Sequence, residues 1–287
     1  MQKYGEIIRS IRKSKGMTLS DTSKGIISMP FLSKFERGES DISSVSLFKI
    51  LDRLNIDIKE FDLLVNGFLE NEQQQFLKKL RIALIEDDLN YLKISYNEQF
   101  HKYETDKNVR YQHNMLIIHF YICNIEKKSP KKMYIDKIKE YLLNIDDWGY
   151  YELTLYGNVL LALPTNLVVV LTKTACAKGA IYLNLSPVHN QLALILLNTI
   201  TTLIDSNEFI QINYFISKTE SVLNHTEWLY EKNKLNFLKG IVLIHTNNYK
   251  KGKEMCNKSI QTFYDFNLNE VGKTHQEYLQ KVLDYSI

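Results

Sequence analysis

The sequence predicts an all-α chain in two parts, and three observations carry that prediction. Residues 18–38, TLSDTSKGIISMPFLSKFERG, space two short helices around a tight turn and stop at a glycine. Beyond residue 72 nearly every window repeats its apolar residues at helical period. Of the four prolines, Pro130, Pro164 and Pro187 fall where one periodic segment ends and another begins. The helices expected to open at Asp147, Pro187 and Thr226 begin about forty residues apart with one helix between each, the spacing of a helix-hairpin solenoid of degenerate tetratricopeptide type.

Taken in order, residues 3–15 place Ile7, Ile8 and Ile11 on one helical face and Arg9, Arg12, Lys13 and Lys15 on the others. Thr18 with Asp21 three residues on reads as a capping box, and Leu19, Thr22, Ser23 and Ile26 follow on one face. Ser28 is the next N-cap. Pro30 sits in the first turn of the following helix, where a missing N–H costs nothing, and Leu32 and Phe35 point inward. Met29, Pro30, Ser33 and Lys34, with Arg37 at the end, remain on the outer face, the set a major groove would meet. With Ser28 and Arg9 they are the expected contacts to double-stranded DNA. Ser43 or Ser44 should cap a fourth helix carrying Leu47, Phe48, Leu51 and Leu54, and Asp57 with Glu60 a fifth carrying Phe61 and Leu64. Five helices thus close a domain at 1–66, a linker follows at 67–72, and a helical-repeat domain fills 73–287. Its helices read 73–86, 88–105, 108–127, 131–145, 147–163, 165–184, 187–205, 207–224, 226–247, 249–267 and 270–285, about five repeats closed by a polar cap.

Composition narrows the function. At 287 residues and 45% hydrophobic the chain is long enough for one small and one large core. Its net charge of +3 is unevenly placed: residues 1–37 hold eight Lys/Arg against three Asp/Glu, and the remainder twenty-eight against thirty. The excess positive charge coincides with the helix-turn-helix. Cys123, Cys176 and Cys256 are far apart in apolar patterns, so they read as buried thiols of a reducing cytoplasm. No run reaches the ~18–20 apolar residues of a membrane span. His113 and His119 lack metal-ligand spacing, and no nucleophile elbow, phosphate loop or paired-carboxylate motif is present. Neither an enzyme nor a metal or cofactor is expected.

Residues 1–66 resemble the XRE-type helix-turn-helix domain, and FLSKFERGESDIS at 31–43 resembles the Rgg group of pheromone-responsive regulators, a likeness in length and layout that runs through the whole chain. The resemblance implies a DNA-binding domain followed by a helical-repeat domain that binds a short, linear, hydrophobic signalling peptide. It also implies that Arg12 on the first helix pairs with Glu36 as a structural lock. Two departures stand out. Thr22 replaces a usual core Leu and Ser23 a usual Ala, which predicts looser packing of the second helix. Ile42-Ser43-Ser44 lacks the Cys that forms an intersubunit disulfide in some members.

An extended peptide on such a repeat must have its backbone amides satisfied, and Asn offers both donor and acceptor. Asn158 and Asn198 are forty residues apart in the same register, as are Tyr150, Asn190 and Tyr230, with Asn233 one turn from the last. These residues are the expected peptide contacts, with Leu155 and Leu194 receiving apolar side chains. Residues 146–153, DDWGYYEL, resemble the Trp-Gly-x-Tyr-Glu segment of Rgg-type proteins; Trp148 reads as a core anchor and Tyr151 as a further contact. Arg110 and Asn114 open the preceding inner helix and complete the set. The whole is expected to be a cytoplasmic homodimeric transcription regulator. The alternative is a regulator whose helical domain serves only dimerisation or a protein partner.

Overall fold

A computed structural model describes residues 2–68, 71–180, 185–224 and 226–285. The chain falls into two compact units, Met1–Ile82 and Ala83–Ile287. All sixteen α-helices among the described residues follow the apolar periodicity, and no strand is present among them.

The first unit contains α1 (Gln2–Ser14), α2 (Leu19–Ser23), α3 (Met29–Glu36), α4 (Ser44–Arg53), α5 (Ile58–Val65) and most of α6 (Glu72–Ile85). Its helix starts are capped by the residues that sequence marks. Thr18 Oγ1 accepts from Asp21 N at 3.1 Å while Asp21 Oδ2 accepts from Thr18 N at 3.2 Å. Ser28 Oγ accepts from Phe31 N at 3.3 Å, Ser43 caps α4, and Asp57 with Glu60 boxes α5. Gly38 ends α3 at φ 75°, with Gly38 N donating to Phe35 O and Glu39 N to Lys34 O, both at 2.9 Å. That pair of bonds needs the left-handed conformation glycine adopts without strain. Ile8, Ile11, Leu32, Phe35, Ile50, Leu51, Leu54 and Phe61 form the core, and burial of each large apolar side chain contributes about 1.5–3 kcal/mol.

Two expectations need correction here. Phe48 is 56% exposed rather than inward, because Ile50, Leu51 and Leu54 occupy the buried face of α4. Helix α2 stops at Ser23, which leaves Ile26 beyond it in the turn. Thr22 and Ser23 are buried, and their hydroxyls donate back to Thr18 O at 3.0 Å and Ser20 O at 3.5 Å, so each polar atom is satisfied within its own helix.

The second unit runs through α7 (Leu89–Asp106), α8 (Val109–Ile125), α9 (Lys132–Asn144), α10 (Tyr150–Val159), α11 (Thr165–Lys178), α12 (Ser186–Asp205), α13 (Ile212–Leu223), α14 (Leu229–His245), α15 (Tyr249–Asp265) and α16 (Asn269–Tyr285). Alternate helices α8, α10, α12 and α14 pack in succession, while α7 backs α8, α13 backs α12, α15 backs α14 and α16 backs α15. Helix α10 is shorter than the sequence implied: Gly149 N donates to Glu152 Oε2 at 3.0 Å and starts the helix late, and a 3-10 turn, Leu160–Ala162, ends it. Trp148, fully buried just before it, donates from Nε1 to Leu142 O at 2.9 Å. Helix α11 ends at Lys178 with Gly179 as its C-cap, short of the expected end at 184; residues 181–184 lie outside the described residues, as does part of the linker at 67–72. A 3-10 turn at Phe209–Gln211 takes the first residues assigned to the next helix.

Candidate functional site

On α3 the outward set is displayed as its spacing requires. Met29 is half-exposed, Pro30 and Lys34 are exposed, and Ser33 is partly covered. Ser28 and Arg9 are exposed as well. Arg37 is exposed but held: Nε and Nη2 donate to Glu39 at 2.6 and 2.7 Å, and Nη1 donates to Ser33 Oγ at 2.6 Å. Beneath this face Arg12 donates from Nε and Nη2 to the two carboxylate oxygens of Glu36, both at 2.6 Å, and from Nη1 to Met17 O at 2.9 Å. Both side chains are buried, and the hydrogen bond to Glu36 raises the Arg12 pKa. A bidentate pair on three donors ties α1, the following turn and α3 together.

In the second unit several expected ligand contacts fall along the α8–α10–α12–α14 layer. Tyr121 OH on α8 donates to Asn158 Oδ1 on α10 at 2.5 Å, and Asn158 Nδ2 returns to Thr154 O at 2.7 Å. Asn190 Nδ2 on α12 donates to Glu231 Oε1 on α14 at 3.1 Å, and Asn198 Oδ1 accepts from Lys234 Nζ at 3.2 Å. Asn158, Asn190 and Asn198 are only partly buried, while Tyr150 and Tyr230 are exposed. Tyr151 OH stands 2.8 Å from His113 Nδ1; burial pushes its pKa up and pushes that of His113 down to about 4, so the ring is neutral near pH 7. Arg110 is partly buried, with its guanidinium over the Tyr111 ring and Nε without a hydrogen-bond partner.

Three expected contacts are turned to the scaffold instead. Asn114 is 2% exposed with Nδ2 donating to Gln99 Oε1 at 2.8 Å, and Asn233 is 7% exposed with Nδ2 donating to Ser259 O at 2.8 Å. Leu155 is buried in the core, whereas Leu194 keeps partial exposure. A buried amide already bonded within the fold is not open to a ligand without breaking that bond.

Residues 93–277 match the family described as the C-terminal domain of the HTH-type transcriptional regulator Rgg, well over half of the chain. The chain belongs to the Rgg family. Its residues 8–61 match the helix-turn-helix family, and it is therefore a helix-turn-helix transcriptional regulator and not an enzyme. Solved structures agree in fold across nearly the whole length. A Listeria monocytogenes EGD-e protein assigned as a transcriptional regulator is 19% identical with TM-score 0.88, covering 99% of this chain and 98% of that one. The Streptococcus dysgalactiae SHP pheromone receptor Rgg2 is 24% identical with TM-score 0.80, covering 97% and 99%. PrgX in complex with cCF10 is 18% identical with TM-score 0.74, covering 97% and 99%.

Within this Rgg-family chain, sequence reasoning overlooked Tyr121, Gln191, Glu231 and Lys234, which join the layer. Gln191 Nε2 on α12 reaches Leu153 O on α10 at 3.5 Å. None of the four carried a readable local signal: Glu231 directly follows Tyr230 and so turns to another side of the helix, and Lys234, though one turn beyond Tyr230, has its partner Asn198 36 residues away. Among the described residues no His/Cys/Asp/Glu group is placed to hold a metal ion, and no helix is long and apolar enough to cross a membrane.

Proposed function

We propose that this regulator reads double-stranded DNA with α3 of a domain spanning 1–66, acts as a homodimer in the cytoplasm, and is controlled by a short hydrophobic signalling peptide held by the 73–287 domain. The observation that carries the peptide reading is the row of amides on successive helices, Asn158, Asn190 and Asn198, each partly exposed and each with hydrogen-bonding capacity beyond its present partners. An extended backbone presents alternating N–H and C=O groups, and such a row pairs with them while apolar neighbours receive the side chains. The similar structures of the SHP pheromone receptor Rgg2 and of a bacterial peptide pheromone/receptor complex support this class of ligand. Three buried thiols, none in a disulfide, fit a reducing compartment.

Isothermal calorimetry of the purified full chain against synthetic hydrophobic peptides encoded beside its gene tests the reading. Asn158→Ala or Asn198→Ala should weaken binding by about 1–3 kcal/mol, the cost of leaving a polar group unpaired. Tight binding unaffected by either change would move the site elsewhere. Failure of every peptide to bind would favour a helical domain used for dimerisation alone.

A further inference from the structure

Lys234 lies on α14 at the end of the amide row and is partly buried. An ammonium carries three donors, yet among the described residues its Nζ meets a single hydrogen-bond partner, the neutral Asn198 Oδ1 at 3.2 Å. Glu231, one turn back on the same helix, is engaged by Asn190 Nδ2. No carboxylate among the described residues stands within ion-pair distance of Lys234. His275, the other titratable neighbour, places Nδ1 2.8 Å from Val271 O, and burial holds its pKa below the usual histidine range. Burial lowers the pKa of Lys234 as well, with the Glu231 charge opposing. A desolvated cation with spare donors is costly unless an anion completes it.

Tyr230, one turn before Lys234 on α14, lines a mainly apolar cavity of about 330 Å³ between α14 and α15 with Leu229, Asn233, Phe263, Phe266 and Leu268. A cation with spare donors at the end of the row of amides is complementary to the end of a peptide lying along that row, where a carboxylate sits. We propose that Lys234 receives a carboxylate of the bound peptide, its C-terminus, and so sets the direction in which the peptide lies, C-terminal end at α12 and α14. This rests on the peptide-binding reading above.

The test is affinity selection on the immobilised full chain from linear octapeptides of Leu, Ile, Val, Phe and Trp, made in equal amounts as free acids and as C-terminal amides, half of each set carrying one Asp. Retained peptides are counted by mass spectrometry. The expected result is enrichment of free acids over amides by about tenfold or more, the effect of a charge-assisted bond in a partly desolvated site. Lys234→Met should abolish that enrichment and Lys234→Arg should preserve it. Because Met replaces a partly buried cation with an apolar chain of similar length, the melting temperature should not fall. Equal retention of acids and amides by the unaltered protein would overturn the proposal whatever the variants do, as would enrichment that survives Lys234→Met. Retention of Asp-bearing amides, lost in Lys234→Met, would overturn the C-terminal assignment and make a side-chain carboxylate the source. Retention of no peptide at all would overturn both this inference and the peptide-binding reading, whereas retention without carboxylate preference removes the inference alone.

Discussion

Burial and pairing of single charges decide most of what this chain does at the residue scale. Arg12 and Glu36 are 7% and 3% exposed and make two 2.6 Å bonds, so desolvation is offset by bidentate geometry with little to spare. Removing one partner leaves the other buried and unpaired. Glu36→Ala should therefore lower the stability of the first unit by about 3–5 kcal/mol, read as a downshift of its transition in calorimetric unfolding of the full chain. Lost DNA binding with an unmoved transition would instead make Arg12 a phosphate contact. The pair was legible because it joins a recognised helix-turn-helix at fixed positions. Lys234 was not, since its partner Asn198 is 36 residues away, and desolvation of a lysine is a tertiary property that no local pattern carries. The same limit explains Asn114 and Asn233: their places near a helix start and one turn from Tyr230 put them on the helices of the layer, but only packing decides which face of a helix is covered.

At the element scale the repeat is written in its turns as much as in its helices. Left-handed residues end or follow helices at Asp87, Lys107 and Lys127, spaced by twenty, and again at Asn207, Asn247 and Asn267. A helix and its turn thus occupy twenty residues, and a hairpin forty. Asn and Asp at four of these six positions are the residue types that tolerate this conformation, a signal the sequence offered beside the helix starts. The register shifts near Pro164 and Pro187, where Pro-led starts replace left-handed exits, and there the expected boundaries drifted. Close approach is the second device. On α14 a Cβ at Gly240 would lie 2.6 Å from Cys256 Sγ and 2.9 Å from Gly252 O, and one at Gly252 would lie 2.6 Å from Gly240 O. Gly240→Ala gains about 1 kcal/mol of helix propensity but forces α14 and α15 apart against backbone that cannot rotate away. Overpacking at about 1–3 kcal/mol should win, seen as a lower urea midpoint for the full chain. A raised midpoint would show that the two helices separate freely.

For the molecule as a whole, the excess of positive charge in residues 1–37 favours sequence-independent attraction to DNA, and the proposed reading assigns the discrimination to α3. One eight-residue helix reaches too few base edges to single out a genomic site, so specific binding should require two copies of α3 on a repeated half-site. That domain's role was legible from the single contiguous run 18–38, because caps, a stop and an outward face are all local. The proposed ligand face was only partly so, because it draws on four helices spread between Val109 and His245. The combined change Ser33→Ala and Lys34→Ala tests the DNA assignment: it should cost about 1–3 kcal/mol for each base edge no longer read, while leaving weak, salt-sensitive binding in place. Ser33 also holds Arg37 Nη1 at 2.6 Å, so the double change frees one Arg37 donor while it removes the Lys34 charge, and nonspecific attraction should weaken without being lost. The discriminating quantity is the ratio of specific to nonspecific affinity in gel shifts at fixed salt, not either affinity alone. A ratio unchanged by the double substitution would mean that another surface reads the bases and that α3 serves only to hold the domain on the phosphates.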